Sequence, residues 1–320
     1  MEIGGGLPVK IITTMTIFIL SQLVMAGSYT DIEKFGSNPG DLIMRVFIPS
    51  KAKSSMPAVV LLHGCSQNSE QFAKDSGWAK YAQKYNFALI LPQQVEDNNH
   101  ATCFNWFDSV DTTRGSGEVE SIAQMIDYTK KHYSINSKKV YVTGFSAGGA
   151  MATALLATYP EKFEAGATIA GVSYGCASSL TSAFMCMNGY KSKRPQDWGD
   201  LVRNASSFNG RFPRVSIWQS AADSVVDSDN AVEILKQWTN VHGLDTRPNS
   251  INEEDIYNRS VFEVNGKEII ETFTLFTEPH AQFIFPGRKL HHCGNPAGYI
   301  VDAGICAAYH QAKFFKLLSY

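Results

Sequence analysis

The sequence has no basic block, no paired C-x-x-C, no internal repeat, and no long apolar run beyond its first 26 residues. Each absence removes a class of function. Lys plus Arg total 28 against 30 for Asp plus Glu, a formal net charge of −2 with no cationic cluster, so nucleic acid is excluded as an expected partner. Without cysteine and histidine at metal-ligand spacing, neither a zinc site nor any other metal or cofactor is expected. Without repeats or low-complexity linkers, the chain does not read as a solenoid or a string of modules. What remains is 320 residues, 44% hydrophobic and 18% charged, enough to bury a sizeable core.

The first 26 residues stand apart. Lys10 precedes the apolar stretch "IITTMTIFILSQLVM", and Val24–Ala26 place small residues where a signal peptidase reads. The alternative is a retained anchor. Against it, Thr13, Thr14, Thr16, Ser21 and Gln22 interrupt a run shorter than the ~20 apolar residues of a span. The expectation is a signal peptide over 1–26 and a mature chain over 27–320, exported to the periplasm or the exterior, with no membrane span after cleavage. Two N-x-S/T sequons, at Asn204 and Asn258, matter only in a host that glycosylates. All six cysteines follow the signal, and an even count in an exported chain suggests three disulfides among 15 possible connectivities. Proximity in sequence favours Cys176 with Cys186 and Cys293 with Cys306, leaving Cys65 with Cys103.

Apolar, β-branched runs read as buried strands at 44–49, 58–64, 87–93, 139–144, 165–171 and 214–220. Helical periodicity marks 69–85, 117–134, 146–160, 229–243 and a tail at 307–319. Strands alternating with helices, with apolar residues on both strand faces, predict an α/β fold: a mostly parallel sheet covered by helices on both faces. Residues 174–212 and 244–270 are polar and irregular and read as insertions or loops.

The strand "KVYVTG" runs into Gly144-Phe145-Ser146-Ala147-Gly148 and a predicted helix. This is G-x-S-x-G in the strand–turn–helix context of a nucleophile elbow, where glycines two residues either side of the serine relieve crowding. The alternative is a glycine-rich helix start with a capping serine. A serine nucleophile needs a base, and the base a carboxylate, in the chain order Ser, Asp or Glu, His. Asp223 lies just past the 214–220 strand, where that acid belongs. Of its neighbours, Asp229 reads as a helix N-cap and Asp227 as a solvated loop charge. His280 follows the strand-like "ETFTLF" by a short turn and is the candidate base, with His291 in reserve. His242 and His310 lie in helical segments and read as packing or surface residues. The candidate oxyanion donors are the N–H of Ala147 and, from the loop "LLHGCSQN", the N–H of Cys65. Trp106 and Phe107 are candidate lining for a substrate pocket, although aromatic pairs more often belong to cores.

These residues, together with "CFNWF", "GEVESIAQMIDYT", "AGVSYGCA", "WGDLVRNA", "IWQSAADSVVDSDNA" and "CGNPAGYIVDAGICAAYHQAKFF", resemble the poly(3-hydroxybutyrate) depolymerase family of esterases. That family is related to the acetylxylan and feruloyl esterases of carbohydrate esterase family 1. The resemblance implies an α/β-hydrolase fold, Ser146 as nucleophile, Asp223 as orienting acid, an oxyanion contribution from His63-Gly64-Cys65, and a Cys65–Cys103 disulfide. Two departures stand out: Gln219-Ser220 replace a usual His-Gly pair before the acid, and Thr277-Glu278-Pro279-His280 replace a usual Gly-Met-x-His. An appended substrate-binding domain is not expected. The expected activity is hydrolysis of carboxylic esters of the hydroxybutyrate oligomer or polyhydroxybutyrate type. The alternatives are an acetylxylan or feruloyl esterase, an acyltransferase with the same triad, and a catalytically dead binding protein on the same fold.

Overall fold

The computed structural model describes residues 27–318 together with residues 1, 2 and 4, so nearly all of the expected signal segment lies outside the described residues. In chain order the first strands are β1 (Ser28–Ile32), β2 (Ile43–Ile48) and β3 (Met56–Leu62). Helices α1 (Ser69–Asp75) and α2 (Trp78–Tyr85) lead to β4 (Ala88–Gln93), α3 (Gly117–His132) and β5 (Ile135–Phe145). Then come α4 (Ala147–Thr158), β6 (Ala165–Ile169), α5 (Leu180–Met187), α6 (Pro195–Asn204), β7 (Arg214–Ser220) and α7 (Asp229–His242). The chain closes with β8 (Ser250–Glu253), β9 (Tyr257–Val264), β10 (Lys267–Leu275), β11 (Gln282–Ile284), β12 (Ile300–Asp302) and α8 (Ala307–Phe314).

Ten strands form one sheet in the order β1-β2-β4-β3-β5-β6-β7-β10-β9-β8. The six central strands, β4 to β10, pair parallel, and the two strands at each edge are antiparallel. Burial on both faces explains why β3 reads as an uninterrupted apolar run. Val59 and Leu61 pack with Phe72, Trp78 and Phe315 on one side, while Ala58, Val60 and Leu62 pack with Ile122, Met151 and Trp238 on the other. Helices α1, α2 and α8 therefore cover one face and α3, α4 and α7 the other.

Four sequence expectations need correction. The helix expected over 69–85 is broken at Gly77, whose φ of +87° and close approach to Cys293 leave no place for a side chain. Residues 244–270 are not loop: they hold β8, β9 and the start of β10, and β8 is exposed throughout, so no burial pattern betrays it. Residues 174–212 hold α5 and α6, the first tied down by the Cys176–Cys186 disulfide. The tail helix stops at Phe314 rather than near 319.

Three histidines, one buried and two half-buried, lack a carboxylate partner. His63 is fully enclosed, His242 sits against the Pro213 carbonyl, and His310 packs on Phe273 and Trp218. Desolvation pushes each down to about 4. The unfolded chain takes up these protons first, near pH 6.5. The stability that the three neutral rings contribute is therefore complete above that pH, falls as pH drops, and stops falling below about 4. Each site contributes on the order of 3 kcal/mol to that loss. Urea unfolding from pH 7.5 to 4 should show the decline, and His242→Gln should flatten its slope by about one proton.

Candidate active site

Strand β5 ends in a turn that only a short list of residues can make. Ser146 adopts φ 56° and ψ −120°, outside the regions that L-residues favour, and its N–H donates to the Ile169 carbonyl at 2.8 Å. A Cβ at Gly144 would come within 2.2 Å of the Gly148 carbonyl oxygen, and one at Gly148 within 2.4 Å of the Leu62 and His63 carbonyl oxygens. Both glycines are thus required by backbone contact. All twelve residues of α4 are buried, so the helix that begins at Ala147 fixes the turn from behind.

Asp223 follows β7, and its side chain is 1% exposed. Oδ1 accepts from the Val225 and Val226 N–H groups at 2.8 and 2.9 Å. Oδ2 accepts from Gln219 Nε2 at 3.2 Å and from His280 Nδ1 at 2.8 Å. Because the carboxylate only accepts, Nδ1 carries the ring proton and Nε2 is left as the acceptor. Nε2 lies 2.9 Å from Ser146 Oγ. The His280 ring rests against Phe145, with ring centroids 4.9 Å apart.

The Gln219-Ser220 pair, the first departure from the family pattern, links both loops. Gln219 donates to Asp223 and to the Val226 carbonyl at 2.8 Å, while Ser220 Oγ donates at 2.5 Å to the carbonyl of Glu278, two residues before His280. The rivals lie elsewhere. His291 is exposed beside His292 and Phe285. Asp227 accepts from the Asp229 N–H, and the N-cap of α7 is Ser228 rather than Asp229, which is the first helical residue.

Ser146 opens onto a pocket of about 300 Å³ lined by Cys65, Ala147, Trp106 and Phe107 and roofed by Leu180 and Phe184. Among the described residues, neither the Cys65 nor the Ala147 N–H donates to a protein acceptor. The disulfides join Cys65 to Cys103, Cys176 to Cys186 and Cys293 to Cys306, the first at the pocket wall. Sequence reasoning missed the roof. Leu180, Phe184 and Met187 recur at i, i+4 and i+7 along α5, a short apolar helical stripe that length alone disguised. A larger cleft of about 650 Å³ is lined by Arg214, Arg259, Lys267 and Lys313 and contains none of these residues. Among the described residues, no group of three or more His, Cys, Asp or Glu could hold a metal ion, and no helix is long and apolar enough to cross a membrane.

The esterase PHB depolymerase family matches residues 43–250, a span that includes Ser146 and Asp223 and stops short of His280. The chain belongs to this family. The esterase is 40% identical over 291 residues to the poly(3-hydroxyalkanoate) depolymerase C of Paucimonas lemoignei, covering 90% of this chain and 70% of that protein. It is 33% identical over 257 residues to an acetylxylan esterase of Coprinopsis cinerea, covering 78% of this chain and 68% of the relative. Among solved structures, an acetyl xylan esterase from Aspergillus awamori superposes with a TM-score of 0.74 at 28% identity, covering 79% of this chain and 94% of that one. The fold is the α/β-hydrolase fold, and the protein is a carboxylic ester hydrolase.

Proposed function

We propose that the esterase works through an acyl-enzyme intermediate on Ser146, with His280 as base, Asp223 as its orienting acid and the N–H groups of Cys65 and Ala147 as oxyanion donors. The observation that carries this reading is the continuous chain Asp223–His280–Ser146, at 2.8 and 2.9 Å, ending in the 300 Å³ pocket. Ser146 Oγ attacks the ester carbonyl carbon as its proton passes to His280 Nε2, and the carbonyl oxygen becomes an oxyanion. Collapse breaks the carbon–oxygen bond to the alcohol, which leaves with the proton held by Nε2. Water then attacks the acyl-enzyme, its proton passing through Nε2 back to Ser146, and the carboxylic acid departs. Asp223 keeps the imidazole in the tautomer that leaves Nε2 free.

The proposed substrate is an oligomer of a short hydroxyalkanoic acid. Apart from Ser146 and Asn99, the pocket offers apolar walls, which suit an aliphatic acyl chain better than a hydroxyl-rich sugar. The similarity to a poly(3-hydroxyalkanoate) depolymerase supports the same choice. Export from the cytoplasm is proposed on the N-terminal sequence and on the three disulfides, which persist in oxidising compartments. The mature chain from residue 27 is proposed to act as one esterase domain.

A substrate panel tests the choice. On purified enzyme, kcat/KM for a 3-hydroxybutyrate trimer should exceed that for acetylated xylo-oligosaccharide or methyl ferulate by at least about tenfold, corresponding to about 1.4 kcal/mol of preference. A reversed order would move the assignment to the polysaccharide esterases.

A further inference from the structure

Glu118 lies in the first turn of α3, is fully buried and touches nothing in the pocket. A buried carboxylate is retained only where donors satisfy it. Here the donors come from two directions. Gln94 Nε2 donates to Oε1 at 2.5 Å, and the Asn105 N–H reaches both oxygens, at 3.1 and 3.0 Å, with Asn98 Nδ2 more distant at 3.5 Å.

Both directions lead to Cys65. On the first path, the Gln94 N–H donates to His63 Nε2 at 3.2 Å. That leaves Nδ1 as the protonated nitrogen, and it donates to the Gly64 carbonyl at 2.7 Å. The Gly64 C=O and the Cys65 N–H belong to one planar trans peptide and point in opposite directions. Holding the carbonyl from one side therefore aims the N–H to the other. On the second path, Gln94 Nε2 also donates to the Cys103 carbonyl at 3.1 Å, and Cys103 is the disulfide partner of Cys65. The Asn105 N–H bonded to Glu118 immediately precedes Trp106 and Phe107 on the pocket wall.

We propose that Glu118 is a positioning residue for the oxyanion donor at Cys65, clamping that peptide through Gln94 and His63 and its disulfide partner through the 94–105 loop. The proposal rests on the reading that the Cys65 N–H stabilises the oxyanion. Loss of one such donor lowers kcat by about 10²–10³, and displacement of a donor costs part of that. In Glu118→Gln the amide oxygen can keep the Oε1 position, but the NH₂ group that replaces Oε2 then faces the Asn105 N–H from 3.0 Å, donor against donor, and displaces the 94–105 loop from the clamp.

The test measures kcat and KM on p-nitrophenyl butyrate and inhibition by an alkyl trifluoromethyl ketone, which forms a tetrahedral adduct with a serine. Glu118→Gln should lower kcat by about 10- to 100-fold with KM within threefold, and Ki for the ketone should rise by the same factor as kcat/KM falls. Unchanged kcat and Ki in a folded variant would overturn the proposal, as would a loss of kcat that leaves Ki untouched. Should Glu118→Gln fail to fold, Gln94→Met removes the side-chain links to Glu118 and to the Cys103 carbonyl while keeping the N–H to His63. It should move kcat/KM and Ki together by about tenfold, and an unmoved Ki would equally overturn the idea. A fluorophosphonate probe separates the two readings: failure to label Ser146 in the wild type rejects the catalytic assignment, whatever Glu118 does.

Discussion

Replacing Ser146 by alanine is expected to lower kcat on p-nitrophenyl butyrate by about 10⁵- to 10⁶-fold, the loss seen when a triad nucleophile is removed. Residual activity above about 1% of wild type would sink the assignment. The backbone adds a second expectation. Alanine keeps the burden of φ 56° at this position and should melt near the wild-type temperature. Glycine adopts that conformation freely, relieving about 1–3 kcal/mol of strain, partly offset by about 0.5–1 kcal/mol of extra chain entropy in the unfolded state. Both variants should be inactive, and Ser146→Gly should be the more stable. Thermal melts of the two, read beside the rates, separate the chemical role of the hydroxyl from the steric cost of the turn.

Asp223→Asn is expected to reduce kcat by about 10⁴-fold while the protein stays folded. The direction follows from the partners of each oxygen. Oδ1 is claimed by the Val225 and Val226 N–H groups, so the amide oxygen of asparagine must stay there. The new NH₂ group then faces His280 Nδ1 and forces that nitrogen to accept. The ring proton moves to Nε2, where it meets Ser146 and leaves no base. The same NH₂ opposes the Gln219 amide, a donor against a donor. An asparagine variant within tenfold of wild type would show that Asp223 does not govern the tautomer. The low-field proton resonance of the His280–Asp223 bond should vanish in it.

The parts of the molecule legible in the sequence are those where one physical requirement dominates. Strand β7 was readable residue by residue because all seven of its positions are buried. The turn at Ser146 was readable because it needs glycine at two fixed offsets, and the place of Asp223 because it lies just past a buried strand. His280 was singled out more weakly, by its place one short turn after a strand-like run and with His291 in reserve. Its loop lacks a sterically demanded glycine pattern, and what sets its position is a tether from Ser220 to Glu278, 58 residues apart in sequence. Strand β8 was illegible for the opposite reason from β7, since a strand with every residue exposed carries no alternation. The roof of the pocket escaped because an eight-residue helix with three apolar residues facing water resembles an irregular loop. Glu118 lay inside a recognised motif, yet nothing local distinguishes a buried carboxylate from a solvated one at a helix start.

The burial of α4 along its whole length has a consequence for how this scaffold diversifies. A helix with no free face, whose Gly148 abuts the Leu62 and His63 carbonyls, offers almost no tolerated substitution near the Ser146 hydroxyl. The rim is the reverse: Leu180 and Phe184 are more than half exposed and belong to a short segment held by one disulfide. Tolerance to substitution is therefore expected at the rim, where a change alters the shape of the pocket mouth, and not at the turn that carries Ser146.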